Sequence, residues 1–563
     1  MSTSARPIRV PLNGMRATAG LSGLNDELAS SSKEAKDETR SNNDVPRSRL
    51  RAMDIQYLCS TAPFRVPAKP WTTVTDSDDL VSHLVSLYLT WGYPFYAFFC
   101  RETFVKHMSL GNVNTDFCSP FLVNALLANA CFYSDYSEAY SLPGDVKRKG
   151  SHFLAEAESH LRSHQYESRN DIRLSSLQAI LLLYERYSLS GQDNHGYTML
   201  HRAISMAESI GIVNNTRKTC LETSQFSEDM IRSLKRTAWG LFQIDTIVHM
   251  NFLKASHIKS VNVDPISRGE TQPDELWIPY PLQADPQPSY MSLYFDEACR
   301  LSYIARDTSW EILRAHEDDN FKQKQYRRLC EWERNLPAIF EPEKMPTPYI
   351  LVLRMRYHTL IINLCCHDIQ AQISSVKIDE HTPGLDSSDS DSSAIRTAVT
   401  SAREIAALVQ TFQKQYGLEH SHQFAMYAIN LSLFCLVTQV DFDFFDPDFL
   451  SLTEAFSRIA CRSQVGRHLF HAFKLSIRTS IRAAPVVPSA LKEFFEPREK
   501  VHEPDKWDQY AEALAEVDGE GGFLKDLEMD PAVPNLTDML HWYEKLSIGE
   551  AIEWRKASQQ PAF

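Results

Sequence analysis

Eleven cysteines, at positions 59, 100, 118, 131, 220, 299, 330, 365, 366, 435 and 461, are the side chains of this 563-residue sequence best suited to nucleophilic or metal chemistry. Zinc sites and redox dithiols announce themselves by paired thiols a turn apart, and no C-x-x-C occurs here. Most of the cysteines stand singly in apolar runs, where a thiol packs as a small hydrophobe in a reducing compartment. Cys365, Cys366 and His367 adjoin, but successive helix residues point about 100° apart and cannot chelate jointly. His160 and His164 have the helical spacing that presents two imidazoles to one ion. With no third ligand nearby in sequence, they read as solvent-facing polar positions. Asp78-Asp79 and Asp318-Asp319 would hold magnesium in an isoprenoid-synthase-like enzyme only with a further carboxylate one turn later. Leu80-Val81-Ser82 and Asn320-Phe321-Lys322 follow instead. No G-x-x-x-x-G-K-[ST], G-x-S-x-G or H-E-x-x-H is present, and Gly519-Glu520-Gly521-Gly522 lacks dinucleotide-binding spacing. These residues supply no catalytic, cofactor-binding or metal site, and the chain reads as a non-enzyme.

The charge balance points away from bulk nucleic-acid binding. The sequence has 58 basic and 72 acidic side chains, a net charge of −14, whereas such binders carry a basic excess. The stretch Met1 to Leu24 has no apolar core of a secretory signal, and no segment offers about 18 uninterrupted apolar residues for a membrane span. The expectation is a soluble intracellular protein without membrane contact.

Positioning falls to helices. Asp78 or Asp79 can cap a helix whose Leu80, Leu84, Leu87, Tyr88 and Trp91 share one face, bent or ended by Pro94. Ser119-Pro120 is a cap followed by a first-turn proline, opening a helix through about Tyr133. In that helix Asn124 and Asn129 need internal partners if buried. Further helical patterns run over 145–165, 172–188, 195–210, 227–253, 289–316, 319–335, 347–373, 394–416, 421–439 and 464–482. No run of paired strands is visible, so the fold class is all-α, a multi-helix domain with a disordered N-terminus and acidic loops. The organisation that follows is a disordered segment over 1–52, without an aromatic residue in its first fifty positions, and a first helical part over 53–255. A Pro-rich loop over 256–288, a second helical part over 289–484 and an acidic, partly helical tail over 485–563 complete it. The acidic, Ser-rich stretch 381–393 reads as a solvated loop able to accept phosphate. The stretch 440–450, VDFDFFDPDFL, interleaves acids with aromatics, either as exposed anchors for coactivator grooves or as an interhelical loop that buries its phenylalanines.

One stretch resembles a known family. Met53-Asp54-Ile55, Pro70-Trp71-Thr72, Val81-Ser82-His83-Leu84, Leu87-Tyr88, Trp91, Phe104 and the run Phe117 to Ala128 are similar to the regulatory middle-homology domain of fungal zinc-binuclear-cluster transcription factors. The xylanolytic and nitrogen-assimilation activators are the nearest in character. A second block, Arg236 to Asp245, resembles that family's later signature helix. The strong resemblance covers about 53–250 and weakens towards 480.

The resemblance implies transcription regulation of metabolic genes in the nucleus, or the cytoplasm, through coactivators or the transcription machinery. It also implies homo- or heterodimerisation and a small-molecule effector. DNA and zinc are implied through the family's N-terminal cysteine cluster. Here the first cysteine is Cys59, so zinc is expected only with a cluster upstream, and Arg47 to Arg51 reads as a solvated turn rather than a remnant of the following linker. The alternative is a stand-alone interaction or ligand-sensing protein that modulates a full-length regulator. Asp245 is read as a buried carboxylate paired with Arg236 or Arg202.

Overall fold

Caps and prolines set the helix boundaries. The computed structural model describes residues 62–164, 173–214, 226–251, 254–266, 275–282, 284–312, 319–376, 388–437, 439, 442–483 and 491, all within the unit that spans Arg47–Phe563. Helix α1 (Asp78–Leu87) opens on Ser77, whose hydroxyl accepts from the Leu80 N–H at 3.2 Å, one residue before the expected cap. The single helix expected through Trp91 is instead broken. A π-turn (Tyr88–Gly92) follows α1, and Pro94 lies in the first turn of the short α2 (Tyr93–Tyr96). A proline at position 94 cannot donate to the Thr90 carbonyl and its ring crowds it. That carbonyl accepts from the Trp277 indole N–H at 3.1 Å instead.

Helix α3 (Arg101–Leu110) escaped the sequence reading because its face is only weakly apolar, with Thr103, Phe104 and Met108 buried. Helix α4 (Pro120–Ala130) starts as expected on Ser119, which accepts from Leu122 N at 3.2 Å. Every residue from Phe121 to Ala130 is buried, so α4 is a central helix that others enclose. The amide N–H groups of its two asparagines find internal acceptors, while both Oδ1 atoms are buried without a donor. Asn124 donates to the Trp71 and Pro120 carbonyls, each at 3.0 Å, and Asn129 donates to Leu182 O at 2.8 Å.

Around α4 pack α1, α5 (Ser151–His164) and α6 (Leu174–Leu189), with α7 (Asp193–Ser209) against α6. Helix α8 (Glu228–Asn251) pairs with α9 (Met291–Ile312), and α10 (Asp319–Arg334) lies on α9. The long α11 (Pro348–Val376) and α12 (Ser388–Tyr416) pack together, followed by α13 (Gln423–Val437), α14 (Pro447–Ala460) and α15 (Gln464–Ala483). The all-α expectation holds apart from a two-residue antiparallel ribbon inside the expected Pro-rich loop. There β1 (Leu276–Trp277) pairs with β2 (Gln287–Pro288), with Leu276 opposite Pro288.

Two further expectations change. The stretch expected as a loop over 381–393 becomes helical from Ser388, a serine- and aspartate-rich start of the kind that suits the positive end of a helix. The part over 381–387 lies outside the described residues. The acidic–aromatic stretch turns inward from Phe442 onward, with Val440 and Asp441 outside the described residues. Phe442, Phe444 and Phe449 form a mutual edge-on cluster with centroids 5.0 to 6.0 Å apart, and Phe445 alone is exposed. Asp446 caps the previously unrecognised α14, accepting from Asp448 N at 2.9 Å and Phe449 N at 3.2 Å, and pairs with Arg403 at 2.7 Å. Replacing it by Ala is expected to cost about 1–2 kcal/mol, the range for a lost N-cap, as read by the denaturant midpoint. Asp446→Asn, which keeps a capping oxygen, should lose less.

The expected segments 1–52 and, apart from Leu491, 485–563, with Met53 to Ile55 and Gly519 to Gly522, lie outside the described residues. Among the described residues no helix is long and apolar enough to cross a membrane.

Candidate functional site

The centre of the helical domain holds a set of buried ionisable groups that join helices distant in sequence. Glu185 on α6 is 2% exposed and accepts from the Tyr88 hydroxyl of the π-turn at 2.9 Å. Its other oxygen lies 3.7 Å from His422 Nε2 in the turn before α13. The His422 ring stacks on Phe95 of α2 with centroids 3.8 Å apart. Burial lowers the His422 pKa, with Glu185 opposing it, while burial and then the Glu185 charge push the Tyr88 hydroxyl well above its usual range. One carboxylate therefore fastens the π-turn, α6 and the α12–α13 connection together.

A second cluster lies where the segment after α4 meets the turn between α14 and α15. Asp135 pairs with Arg462 at 2.9 Å. Burial, the largest single influence, would raise the Asp135 carboxyl, but the charge and hydrogen bond of Arg462 together with the charge of Lys149 hold the group below its ordinary value. Beside them Lys149 is 2% exposed and donates to the Phe132 carbonyl at 3.2 Å, with its ammonium 5.2 Å from the Tyr140 ring centre. Burial first, and Arg462 second, bring its pKa down from 10.5 to about 7. The unfolded chain keeps that proton up to pH 10.5 and the folded one releases it near pH 7, so folding stability rises with pH between those values. Below pH 7 the buried ammonium is carried at full cost. Lys149→Met is therefore expected to raise stability at pH 6 by about 2 kcal/mol after the lost hydrogen bond is counted, an advantage that fades towards pH 10. Thermal melts across that range check it, and a lower midpoint for the variant at pH 6 would contradict it.

Asp245 is fully buried on α8, as the sequence reading required, but its partner is neither Arg236 nor Arg202. His249, one turn on, places Nδ1 3.0 Å from Oδ1. Ser256 Oγ donates to Oδ2 at 2.6 Å and Ile258 N donates to the same oxygen at 2.8 Å. The carboxylate thus closes the chain reversal after α8. An arginine was expected because a buried acid needs a base, yet the i, i+4 histidine and two backbone-proximal donors satisfy it locally. Arg236 instead lies with its guanidinium 4.6 Å from the Phe295 ring centre.

The remaining candidates are not brought together. His160 sits 4.0 Å from Glu156 on its own helix, and the side chains of His164, Cys366 and His367 lie outside the described ones. Asp78 accepts from Ala68 N at 2.7 Å and Asp79 pairs with Arg65 at 2.9 Å, so both fix the chain entering α1. Asp318 lies outside the described residues. Cys59 and Cys220 also lie outside them, and the described cysteines are free thiols dispersed over separate elements. Among the described residues no group of three or more His, Cys, Asp or Glu is placed to hold a metal ion. The zinc that the resemblance implies finds no fitting donor set among these residues. Lys149, Glu185 and His422 were missed by the sequence reading, since a lone polar residue in a helical pattern carries no sign of which face it occupies.

Buried charges thus fasten helices that are distant in sequence to one another. Residues 85–265, from the last turn of α1 to the segment beyond α8, match the model of the fungal specific transcription factor domain. Three curated relatives extend the likeness. The nitrogen assimilation transcription factor nit-4 of Neurospora crassa is 27% identical over 393 residues, 65% of this chain and 33% of the relative. The notoamide biosynthesis transcriptional activator notL' of Aspergillus versicolor is 27% identical over 406 residues, 70% of this chain and 63% of the relative. The nitrogen assimilation transcription factor nirA of Emericella nidulans is 27% identical over 379 residues, 64% of this chain and 40% of the relative. The chain thus spans between one third and just under two thirds of the length of these relatives.

Proposed function

We propose that this chain is a fungal transcription regulator whose helical domain integrates a metabolic or partner signal. The observation that carries the reading is the domain match over 85–265, supported by relatives named as transcription factors over roughly two thirds of the chain. The domain works as a packed module with two arrangements of its helices, one of which a small molecule or partner stabilises. Its setting is the nucleus, its targets are metabolic genes read by RNA polymerase II, and its partners are coactivators or the transcription machinery. The helical core divides into the parts 53–255 and 289–484, with 485–563 as an acidic tail that contacts those partners. Neither catalysis nor a resident cofactor enters this reading.

Tethering the full chain to a heterologous DNA-binding module upstream of a reporter in a fungal host tests it. The expected result is reporter output that departs severalfold from the module alone and varies with nutrient. Output equal to the module alone under every nutrient condition would refute the reading.

A second reading is a modulator that dimerises with or masks a full-length regulator. Binding of the chain to mixed genomic DNA, with a steep loss on adding salt, would speak for its own DNA contact and against that second reading.

A further inference from the structure

We propose that α8, α9 and α11 enclose a binding site for a small carboxylate that also bears a hydroxyl or amine, with Arg356 as its anchor. The proposal rests on the regulatory reading above and names the chemistry of the signal. Phe295, Cys299 and Ser302 lie four and then three residues apart along α9, so they form one stripe on one side of that helix. Each is met by a polar side chain from a neighbouring helix. Arg236 of α8 lies over the Phe295 ring with its guanidinium 4.6 Å from the ring centre, and Gln243 of α8 brings Nε2 3.5 Å from Cys299 Sγ. Arg356 of α11 donates from NH2 to Ser302 Oγ at 3.1 Å.

All three arriving groups are left with an unmet hydrogen-bonding atom. Arg356 is 3% exposed, and its NH1 is buried without an acceptor. Arg236 is 7% exposed, and its NH1 is buried without one as well. Gln243 Oε1 is buried without a donor. No carboxylate lies within ion-pair distance of Arg356 or Arg236 among the described residues, although Glu102 is near enough to Arg236 to feel its charge, and Arg356 has no acid of even that kind. Arg354, two positions from Arg356 and less buried, does have Glu333 at 3.3 Å. The other near neighbour of Arg356 is the Phe95 ring, 5.8 Å from its guanidinium carbon. A buried cation without a counter-charge is costly, as is a buried amide oxygen without a donor.

One ligand class answers all of this. A carboxylate accepts from the guanidinium N–H groups and supplies the missing charge, and an adjacent hydroxyl or amine donates to Gln243 Oε1. Cys299 and Ser302 are separated by about 4.5 Å along the helix axis, a span suited to a molecule of a few heavy atoms. Because Arg356 lies inside the packing of α9 and α11, occupancy is coupled to how closely those helices approach, and this coupling gives the domain its two arrangements.

Thermal unfolding of the purified full chain in chloride-free buffer, at matched ionic strength, with glycolate, acetate or chloride added, tests the site. Glycolate is expected to raise the midpoint saturably and at lower concentration than acetate, with chloride inert. Arg356→Met should abolish both responses and melt no lower than the parent without ligand, because it removes an uncompensated charge and keeps the apolar stem. Gln243→Met should keep the acetate response and lose the preference for glycolate. The site is overturned by no saturable rise with either carboxylate, by a rise that survives Arg356→Met, or by chloride acting as well as glycolate. It is equally overturned if Arg356→Met melts well below the parent in ligand-free buffer, since Arg356 would then be a packing element. A chain that binds glycolate but never moves the reporter refutes the regulatory reading alone. A responsive reporter with no carboxylate binding refutes this site alone.

Discussion

Gly240→Ala is expected to destabilise the domain by about 3 kcal/mol or more, although helix propensity on its own favours alanine by about 1 kcal/mol at such a position. The reason lies in how α8 crosses the chain after α2. A Cβ built on Gly240 falls 2.4 Å from Phe98 Cβ and 2.6 Å from Phe98 Cα, with Tyr96 O at 3.1 Å. Two of those three atoms are backbone, which no rotamer change can move. The segment is also pinned, because the Thr237 hydroxyl one turn earlier donates to Phe98 O at 2.9 Å. Relief therefore requires α8 to withdraw from Phe98, opening contacts in the middle of the core. A denaturant titration followed by helix signal reads the effect, and a midpoint at or above that of the parent would show that the two segments do not cross this closely.

Asp245→Ala is the second large expected loss, about 3–5 kcal/mol, the range for removing one member of a buried, hydrogen-bonded charge pair. The substitution strips the partner from Ser256 Oγ and from Ile258 N together, both buried, and leaves His249 Nδ1 only the Asp245 carbonyl at 2.7 Å. Asp245→Asn keeps the shape but presents an amide N–H to donors, leaving at least one of them unmet, and should cost about 1–3 kcal/mol. The acid limb of the stability curve separates the charge from the shape. Burial would raise the Asp245 carboxyl, but the hydrogen bond and charge of His249, and the donors Ser256 and Ile258, hold it below its ordinary 3.8. A carboxyl depressed on folding stabilises fully above its unfolded value, and the contribution disappears as pH falls through the lower folded value. The parent should therefore lose stability below pH 3.8 more steeply than Asp245→Asn does. Equal acid limbs would mean that the carboxylate charge contributes nothing.

Much of the helical framework was readable because its signals are local. Ser119-Pro120 specifies a helix start through one hydroxyl and one missing N–H, and the structure starts α4 there. Failures came where the local signal was weak or divided. Helix α14 hides behind an acidic–aromatic stretch whose composition suits an exposed motif equally well. Its Asp446-Pro447 start is the same kind of cap and first-turn proline as Ser119-Pro120 and could have revealed it. Likewise the His249 partner of Asp245 is legible as an i, i+4 pair, which competes with the arginines as a base for the buried acid.

The sequence by itself determined the all-α class, most helix boundaries, the burial of Asp245 and the need of Asn124 and Asn129 for internal partners, since each follows from a few neighbouring residues and the 3.6-residue period. Only the tertiary structure decided that Trp277 takes the carbonyl that Pro94 leaves free, that Lys149 is buried beside Arg462, and that Arg356 meets Ser302 with no acid near it. Those outcomes join residues 54 to 313 positions apart. A charged side chain's partner and solvent access depend on which helices cross there, and helix crossings are set by the packing of whole faces.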